Sequence, residues 1–536
     1  IYGKKVSDDT ERAEAFNVFF KSVFTEESPF DPRLVNGGNV EKCLKGLKID
    51  KSPGPDDVHP RVLKELSAQL APPIAELFQR SLSGGKVPRE WKMAEVRPIH
   101  KKEEKNNVKN YRPVSLTSIA SKVMESILRD KVMSFLLNSG KITDAQYGFV
   151  KGRGTDQNLL SCIDRWTEAV DEGKCVDAIY LDFRKAFDSV PYKRLIHKLS
   201  GMGIARNCVT WITDFLSDRV QYVKVGNGFS SQCAVKSGVP QGSVLGPTLF
   251  TIFINDLPQD VKSYIVLFAD DAKVYRIIEG RTDCDILQGD LNALKAWSDT
   301  WELHFNLDKC QLLRFGNNPP PFVYHMGDSV IKPSSTARDL GVTISKSLDP
   351  SAHIAEVVGS ATRVCFTIKR TMAHLTPETG KLLFSSLVRP IIEYGVISWN
   401  PWKVKDIESV EKVQRRFTKM IPALRDMPSK QRLKEINLFS LRHRRRRGDM
   451  INLYKLFEQD HKLLIRFLQN QLAGTRGHTR KLKKARARTN IRKYSFFLRN
   501  VDDRNPLPNS VVTSGNIKSF KCNLDRHWEG DDTRYE

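Results

Sequence analysis

The stretch YIVLFADDAKVY (264–275) reads as two β runs joined at adjacent carboxylates, Asp270 and Asp271. Apolar, β-branched and aromatic residues on either side of a polar pair predict a hairpin that carries its acids at the tip. Neighbouring carboxylates repel, and burying them is costly unless a cation neutralises them. A plain polar turn is the ordinary use of an Asp-Asp pair, so the context of this one decides its meaning. A third acid, Asp182, ends another β-rich run, VDAIYL (176–181). Three acids on strand ends could serve divalent-cation chemistry, of which nucleotide polymerisation is one case. That reaction needs no covalent intermediate, only two divalent cations about 3.5–4 Å apart, held by hard oxygen ligands.

Outward from these acids the chain alternates between strand and helix. Helix-like segments (192–199, 208–216) precede the alternating runs VQYVKV (220–225) and QCAVKS (232–237), and another helix is expected at 249–257. Upstream lie a β-like run (93–100), the charged loop KKEEKNNVKN (101–110), a helical stretch (116–137) and a Gly-rich segment (147–154). Further helices are expected at 13–24 and 60–82, with the turn SPGPD (52–56) between them, and the chain beyond Leu340 is mostly helical through Glu458.

At 536 residues the chain has room for about two to four domains of roughly 150 residues each. Its 40 % hydrophobic and 9 % aromatic content is that of a globular protein rather than a disordered one. Lys and Arg number 86 against 62 Asp and Glu, a net charge of +24, which calls for a polyanionic partner such as nucleic acid, with anionic membrane as the rival on bulk charge. Nine scattered cysteines without a C-x-x-C pair argue against a disulfide framework or zinc finger and for a reducing compartment. No run approaches the roughly 18 apolar residues of a spanning helix, and the start IYGKKVSDDTERAEAF lacks the apolar core of a signal peptide, so a soluble, intracellular protein is expected, without a membrane partner. The chain begins with Ile rather than Met, which leaves room for upstream domains.

The segments LDFRKAFD (181–188), SGVPQGSVLGPTLF (237–250) and LFADD (267–271) resemble, in that order, motifs A, B and C of a reverse transcriptase. Similar blocks extend outward: KSPGPDDVHP (51–60), WKMAEVRPIHKK (91–102), NYRPVSLTS (110–118), QYGFVKGRGTDQNLL (146–160), INDL (254–257), FNLDKC (305–310), DLGVTI (339–344), VRPIIEYGVISWNP (388–401) and VEKVQRRFTKMIP (410–422). Together they resemble the polymerases of non-LTR, LINE-type retrotransposons of the Jockey-like branch, across essentially the whole chain and more loosely in the last sixty residues.

The resemblance implies an α+β right-hand polymerase, with fingers, a palm built on an antiparallel sheet, a thumb and helical extensions. In this chain it divides as an N-terminal helical extension (1–90), fingers and palm (91–345), a helical thumb (346–460) and a basic C-terminal region (461–536). It implies RNA-directed DNA synthesis, by target-primed reverse transcription, on an element RNA template with a DNA primer or nicked target DNA and dNTPs. Asp182, Asp270 and Asp271 would be catalytic and hold two Mg²⁺ ions, with Mn²⁺ as an alternative, and the Phe183 carbonyl would add an oxygen. Phe187 matches the aromatic gate that excludes a 2′-hydroxyl by volume, although an aromatic there also suits simple core packing. Gln241 and Gly242 match the turn that packs against incoming base and template. Lys101 or Lys102, with Arg112, matches the fingers cations that grip the triphosphate, Arg being the better bidentate ligand, while a loop such as KKEEK is ordinarily solvated. Lys309 matches a lysine that protonates pyrophosphate, although a lysine at a strand edge needs no function.

Some positions depart from the family pattern. Asp57 stands where Gly is usual, Gly154 where Ser is commoner, and RNVDDRNPLPNSVV (499–512) has Arg504 at an aromatic position. No endonuclease is visible in the sequence, so a nuclease domain or partner is expected for insertion. Nine cations without an acid between them occupy 476–493: Arg476, Arg480, Lys481, Lys483, Lys484, Arg486, Arg488, Arg492 and Lys493. Five more arginines surround His443 at 442–447. Such runs serve as solvated faces or nuclear addresses, but here a nucleic-acid backbone contact is expected, because a polymerase holds an A-form hybrid largely through phosphates and 2′-hydroxyls. Nucleus and cytoplasm are the expected locations. The rivals are an RNA-dependent RNA polymerase, which Phe187 disfavours, and a catalytically inactive RNA-binding scaffold.

Overall fold

The computed structural model describes residues 35–101, 104–372, 374–459, 464, 467–468, 478, 480–530 and 532–535. The helix expected at 13–24, and Lys102 and Arg476, lie outside the described residues. The chain mixes helices and sheets and divides into two compact units, each made of discontinuous segments.

One unit comprises Ile1–Phe149, Asp182–Val261 and Asn292–Asn306. Its sheet places Tyr111–Leu116 at one edge, then Met93–His100, then Val220–Val225, which pairs with the short strands Gly228–Phe229 and Cys233–Ala234. Met93–His100 runs antiparallel to Tyr111–Leu116 and parallel to Val220–Val225. Pro98 lies opposite Pro113. Proline is tolerated there because Pro113 is on an edge strand and Pro98 lies beyond Val96, the last residue paired to the other neighbour. The helical stretch expected at 60–82 is two helices, Pro60–Glu65 and Ser67–Gly84, divided at Leu66, and the second ends on left-handed Gly85. Ile119–Asn138 is capped by the Ser118 hydroxyl.

The other unit comprises Val150–Leu181, Lys262–Leu291 and Leu307–Glu536. Its five-stranded sheet has the order Lys332–Ser334, Gln311–Phe315, Cys175–Leu181, Asp271–Ile278, Tyr264–Phe268, and every residue of the central Cys175–Leu181 is buried. Burial on both faces explains the near-continuous apolar run CVDAIYL, and its one acid, Asp177, accepts a 2.8 Å hydrogen bond from the Tyr324 hydroxyl. The helix Thr155–Asp171 lies against the sheet through Trp166, stacked on Phe315 and edge-on to Tyr275. Lys273 and Asp339 form a buried ion pair at 2.5 Å. A further core gathers Met450, Leu453 and Phe457 with Phe496, Phe520 and Trp528 and includes Leu160 and Ile397, so the C-terminal residues pack on the helices Leu441–Gln459 and Thr155–Asp171.

Candidate active site

The acids at 270 and 271 sit where the alternation of apolar residues puts them. Tyr264–Phe268 and Asp271–Ile278 form an antiparallel hairpin whose last register pair is Phe268 with Asp271, leaving Ala269 and Asp270 as a two-residue turn. Ala269 adopts φ 54°, the left-handed conformation such a turn requires and a non-glycine residue resists. Both Asp270 and Asp271 are exposed. Cys175–Leu181 pairs with the second hairpin strand as far as Leu181 opposite Ala272, so this strand gives out level with the hairpin tip. Asp182 is the next residue of the chain.

In the first unit the chain after Asp182 forms an antiparallel bridge, Phe183 with Phe305. Its hydrogen bonds run from Asn306 N–H to the Asp182 carbonyl (2.6 Å) and from Arg184 N–H to the His304 carbonyl (2.9 Å). This is the non-hydrogen-bonded kind of pair, so the Phe183 carbonyl takes no part in it. The Phe183 ring is buried on Phe305 at 4.5 Å. Lys185, at φ 45°, then turns the chain into the helical turn Ala186–Ser189.

That turn carries Phe187 and Asp188. Phe187 is half-buried and stacked on Phe250, centroids 4.5 Å apart. Its carbonyl accepts from Val239 N–H at 2.7 Å, and the Val190 carbonyl accepts from Gly238 N–H at 2.9 Å. At Gly238 (φ 88°) a Cβ would lie 2.6 Å from the Asp188 Cα, so only glycine permits this approach. The Gln241 side chain donates through Nε2 to Asp188 Oδ1 at 2.8 Å. The Gln241 carbonyl accepts from Ser115 N–H (2.8 Å) on the edge strand Tyr111–Leu116. Gly242, at φ 123°, lies so close that a Cβ would fall 2.1 Å from the Ser115 oxygen. Behind the turn, fully buried Glu125 accepts from the N–H groups of Val244 (2.7 Å) and Leu245 (3.1 Å) and from the Ser121 hydroxyl. Burial raises the Glu125 carboxyl above its ordinary pKa. Burial also raises that of Asp188, against the opposing pull of the Gln241 hydrogen bond and of Lys185 and Lys101.

Lys101 thus lies within electrostatic reach of Asp188. Its N–H bonds the Asn110 carbonyl at 2.8 Å, one step beyond the register pairs Ile99–Arg112 and His100–Tyr111. By the two-residue alternation of a strand, Lys101 and Arg112 share one face of this hairpin end, and both are exposed. Lys309 is exposed in the turn before Gln311–Phe315, a strand of the second unit.

The basic segments behave differently from one another. Lys483, Lys484, Arg486, Arg488 and Lys493 are exposed, and Lys481 is half-buried. Arg480 pairs with Glu458 at 2.5 Å and Lys484 with Asp502 at 2.7 Å. Arg492 departs from the expectation of a backbone contact: it is buried, with Asp164 at 2.7 Å and Glu168 at 3.4 Å. Its guanidinium is consumed inside the fold. The expectation for 442–447 is likewise corrected, because Arg444, Arg445, Arg446 and Arg447 pair with Glu393, Glu411, Asp503 and Asp525. Only Arg442 of that run is exposed. Asp188 and Glu125 escaped the sequence reading. Asp188 closes LDFRKAFD beside Phe187, a hint in hindsight, whereas Glu125 in mid-helix carries no signal.

Among the described residues no three His, Cys, Asp or Glu side chains are gathered as a metal cage. Asp182 and Phe183 in the first unit, and Asp270 and Asp271 in the second, offer carboxylates and a backbone carbonyl, hard oxygens of the kind that suit Mg²⁺ rather than a thiolate- or imidazole-seeking metal.

Residues 99–344 match the family described as reverse transcriptase (RNA-dependent DNA polymerase). The chain is 29 % identical over 398 residues to the RNA-directed DNA polymerase from mobile element jockey of Drosophila melanogaster, covering 69 % of this chain and 42 % of that protein. It is 28 % identical over 403 residues to a protein named "Probable RNA-directed DNA polymerase from transposon BS" of the same organism (71 % and 44 %), and 28 % identical over 344 residues to the jockey polymerase of Drosophila funebris (61 % and 37 %). The chain spans less than half the length of these curated relatives. Residues 99–344 thus match the reverse transcriptase family, and the relatives to which the chain is similar are polymerases named for the mobile elements jockey and BS.

Proposed function

We propose that this chain is the RNA-directed DNA polymerase of a non-LTR retrotransposon, copying element RNA into DNA by two-metal nucleotidyl transfer in target-primed reverse transcription. The observation that carries the reading is the register of the second unit's sheet: the hairpin tip bearing Asp270 and Asp271 is paired to the strand that runs directly into Asp182. Asp182, Asp270, Asp271 and the Phe183 carbonyl would hold two Mg²⁺ ions, or Mn²⁺, whose chemistry is to activate the primer 3′-hydroxyl and offset charge on the leaving pyrophosphate.

The chain's own side chains divide the remaining work. Phe187 excludes a ribonucleotide by occupying the space of its 2′-hydroxyl, and the Gln241–Gly242 turn presents backbone and amide to the incoming pair. Lys101 and Arg112 take the triphosphate, and Lys309 donates a proton to pyrophosphate. In this reading residues 91–345 are fingers and palm, 346–460 the thumb, 1–90 an N-terminal extension and 461–536 a C-terminal region whose exposed cations follow the nucleic-acid backbone. The partners are template RNA, a DNA primer or nicked target, dNTPs and a nuclease that makes the nick, with the nucleus and cytoplasm as the places of action. Extension of a DNA primer annealed to RNA, with dNTPs and rNTPs supplied in separate reactions, tests this. Extension with dNTPs alone supports it, rNTP-dependent extension indicates an RNA polymerase, and RNA binding without extension indicates an inactive scaffold.

A further inference from the structure

The carboxylate of Asp188 has no place in the chemistry above, yet it bonds the side chain that the turn offers to substrate. An ionised carboxylate accepts hydrogen bonds only, so the end of Gln241 that meets it at 2.8 Å must be the NH₂ group. This settles which way the amide points. The carbonyl Oε1 is the end turned away from that carboxylate, and beside the second N–H of the amide it gives a donor of an incoming nucleotide, an O–H or N–H, an acceptor to meet at Gln241.

We propose that Asp188 is a positioning residue for nucleotide selection, holding the Gln241 amide with its acceptor toward the substrate and tying that turn to the gate residue Phe187; the proposal rests on the polymerase reading. Asp188 is itself firmly placed. Its own carbonyl accepts from the Ser237 hydroxyl at 2.9 Å, and Gly238 passes against its backbone. The Phe187 carbonyl beside it accepts from Val239 N–H. One short segment therefore carries both the ring that measures the sugar and the acid that orients the amide. Gln241's backbone does not depend on the carboxylate, because Ser115 N–H bonds the Gln241 carbonyl and Glu125 holds Val244 and Leu245. Removing the Asp188 carboxylate should free the amide and leave the turn standing.

The test is a double-mutant cycle on primer extension, with Asp188→Ala, Gln241→Ala and the pair, reading kcat and KM for dNTP beside template affinity and Tm. Loss of a charge-assisted hydrogen bond predicts that Asp188→Ala raises the KM for dNTP on the order of ten-fold with kcat, template affinity and Tm little changed. The pair should be no worse than Gln241→Ala alone, because the first residue acts through the second. Asp188→Asn, which keeps an acceptor of the same shape, should recover part of the loss. Additive effects, or a loss in Asp188→Ala that follows a drop in Tm, would overturn the role of Asp188 while the polymerase reading stands. No extension by the unmodified chain would overturn that reading and this proposal with it.

Discussion

The ring of Phe187 lies nearly parallel to that of Phe250, 19° between their planes and 4.5 Å between their centroids. The gate proposed for Phe187, working by volume, needs a backing that keeps the ring from swinging away, and Phe250, buried on the helix Gly246–Phe253, would provide one. Phe187→Ala should therefore admit rNTPs and largely spare dNTP use, and Phe250→Leu should relax the preference in the same direction by less. Competing dNTP and rNTP incorporation measures both, and an unchanged ratio in Phe187→Ala would remove Phe187 from the gate.

The basic tail separates into two classes by burial. Replacing Lys483, Lys484, Arg486 and Arg488 with Gln should weaken binding to unrelated RNAs alike and flatten the log-affinity against log-salt slope by roughly three to four units, at about 0.7–0.9 per phosphate contact. Arg492→Gln should instead leave that slope intact and destabilise the fold by about 3–5 kcal/mol, since it strands the buried Asp164 carboxylate. Filter binding across a salt series and urea unfolding distinguish the two.

What the sequence shows in advance depends on how local the physics is. The hairpin 264–278 is legible because apolar strands and a polar tip are neighbours in the chain, and the ordered motifs around Asp182 and Gln241 are equally local. The fate of Arg444 to Arg447 is not, because their partners at 393, 411, 503 and 525 arrive only with the tertiary fold. The same distance hides the bond from Gln241 to Asp188 and the grip of Glu125 on Val244. A charge run looks alike from sequence whether its counter-charges are water, phosphate or distant carboxylates.

Arg504 is a poorly compensated buried charge. It is fully buried over the Phe457 ring, and among the described residues its guanidinium nitrogens have no hydrogen-bond partner. Burial holds its pKa down to about 9. Arg504→Leu or Arg504→Trp, the latter an aromatic of the kind the motif carries there, should raise stability by about 1–3 kcal/mol in urea unfolding. A loss of similar size would show that the cation is favourably held.

Lys198 offers a pH test. Its ammonium sits among the rings of Phe253, Trp297 and Trp301 and pairs with Asp256 at 2.6 Å, and burial lowers its pKa from 10.5 to about 8. The folded state then releases this proton before the unfolded state does, so this group's contribution makes stability rise from pH 8 to 10.5, by at most about 3 kcal/mol. The unfolding free energy of the unmodified chain should gain on that of Lys198→Met across this window. A constant difference would contradict the assignment.

The central claim is that three acids, brought to neighbouring strand ends by the pairing of Leu181 with Ala272 and Phe268 with Asp271, perform the chemistry. Its most direct measurement is extension of a DNA primer on an RNA template by the unmodified chain and by Asp182→Asn, Asp270→Asn and Asp271→Asn, with RNA affinity measured in parallel. The account predicts Mg²⁺-dependent extension that falls by orders of magnitude in Asp182→Asn and Asp270→Asn, and markedly in Asp271→Asn, while RNA affinity stays within about two-fold, since the phosphate contacts lie elsewhere. Full extension by Asp270→Asn, or an equal loss of RNA binding in all three, would contradict it.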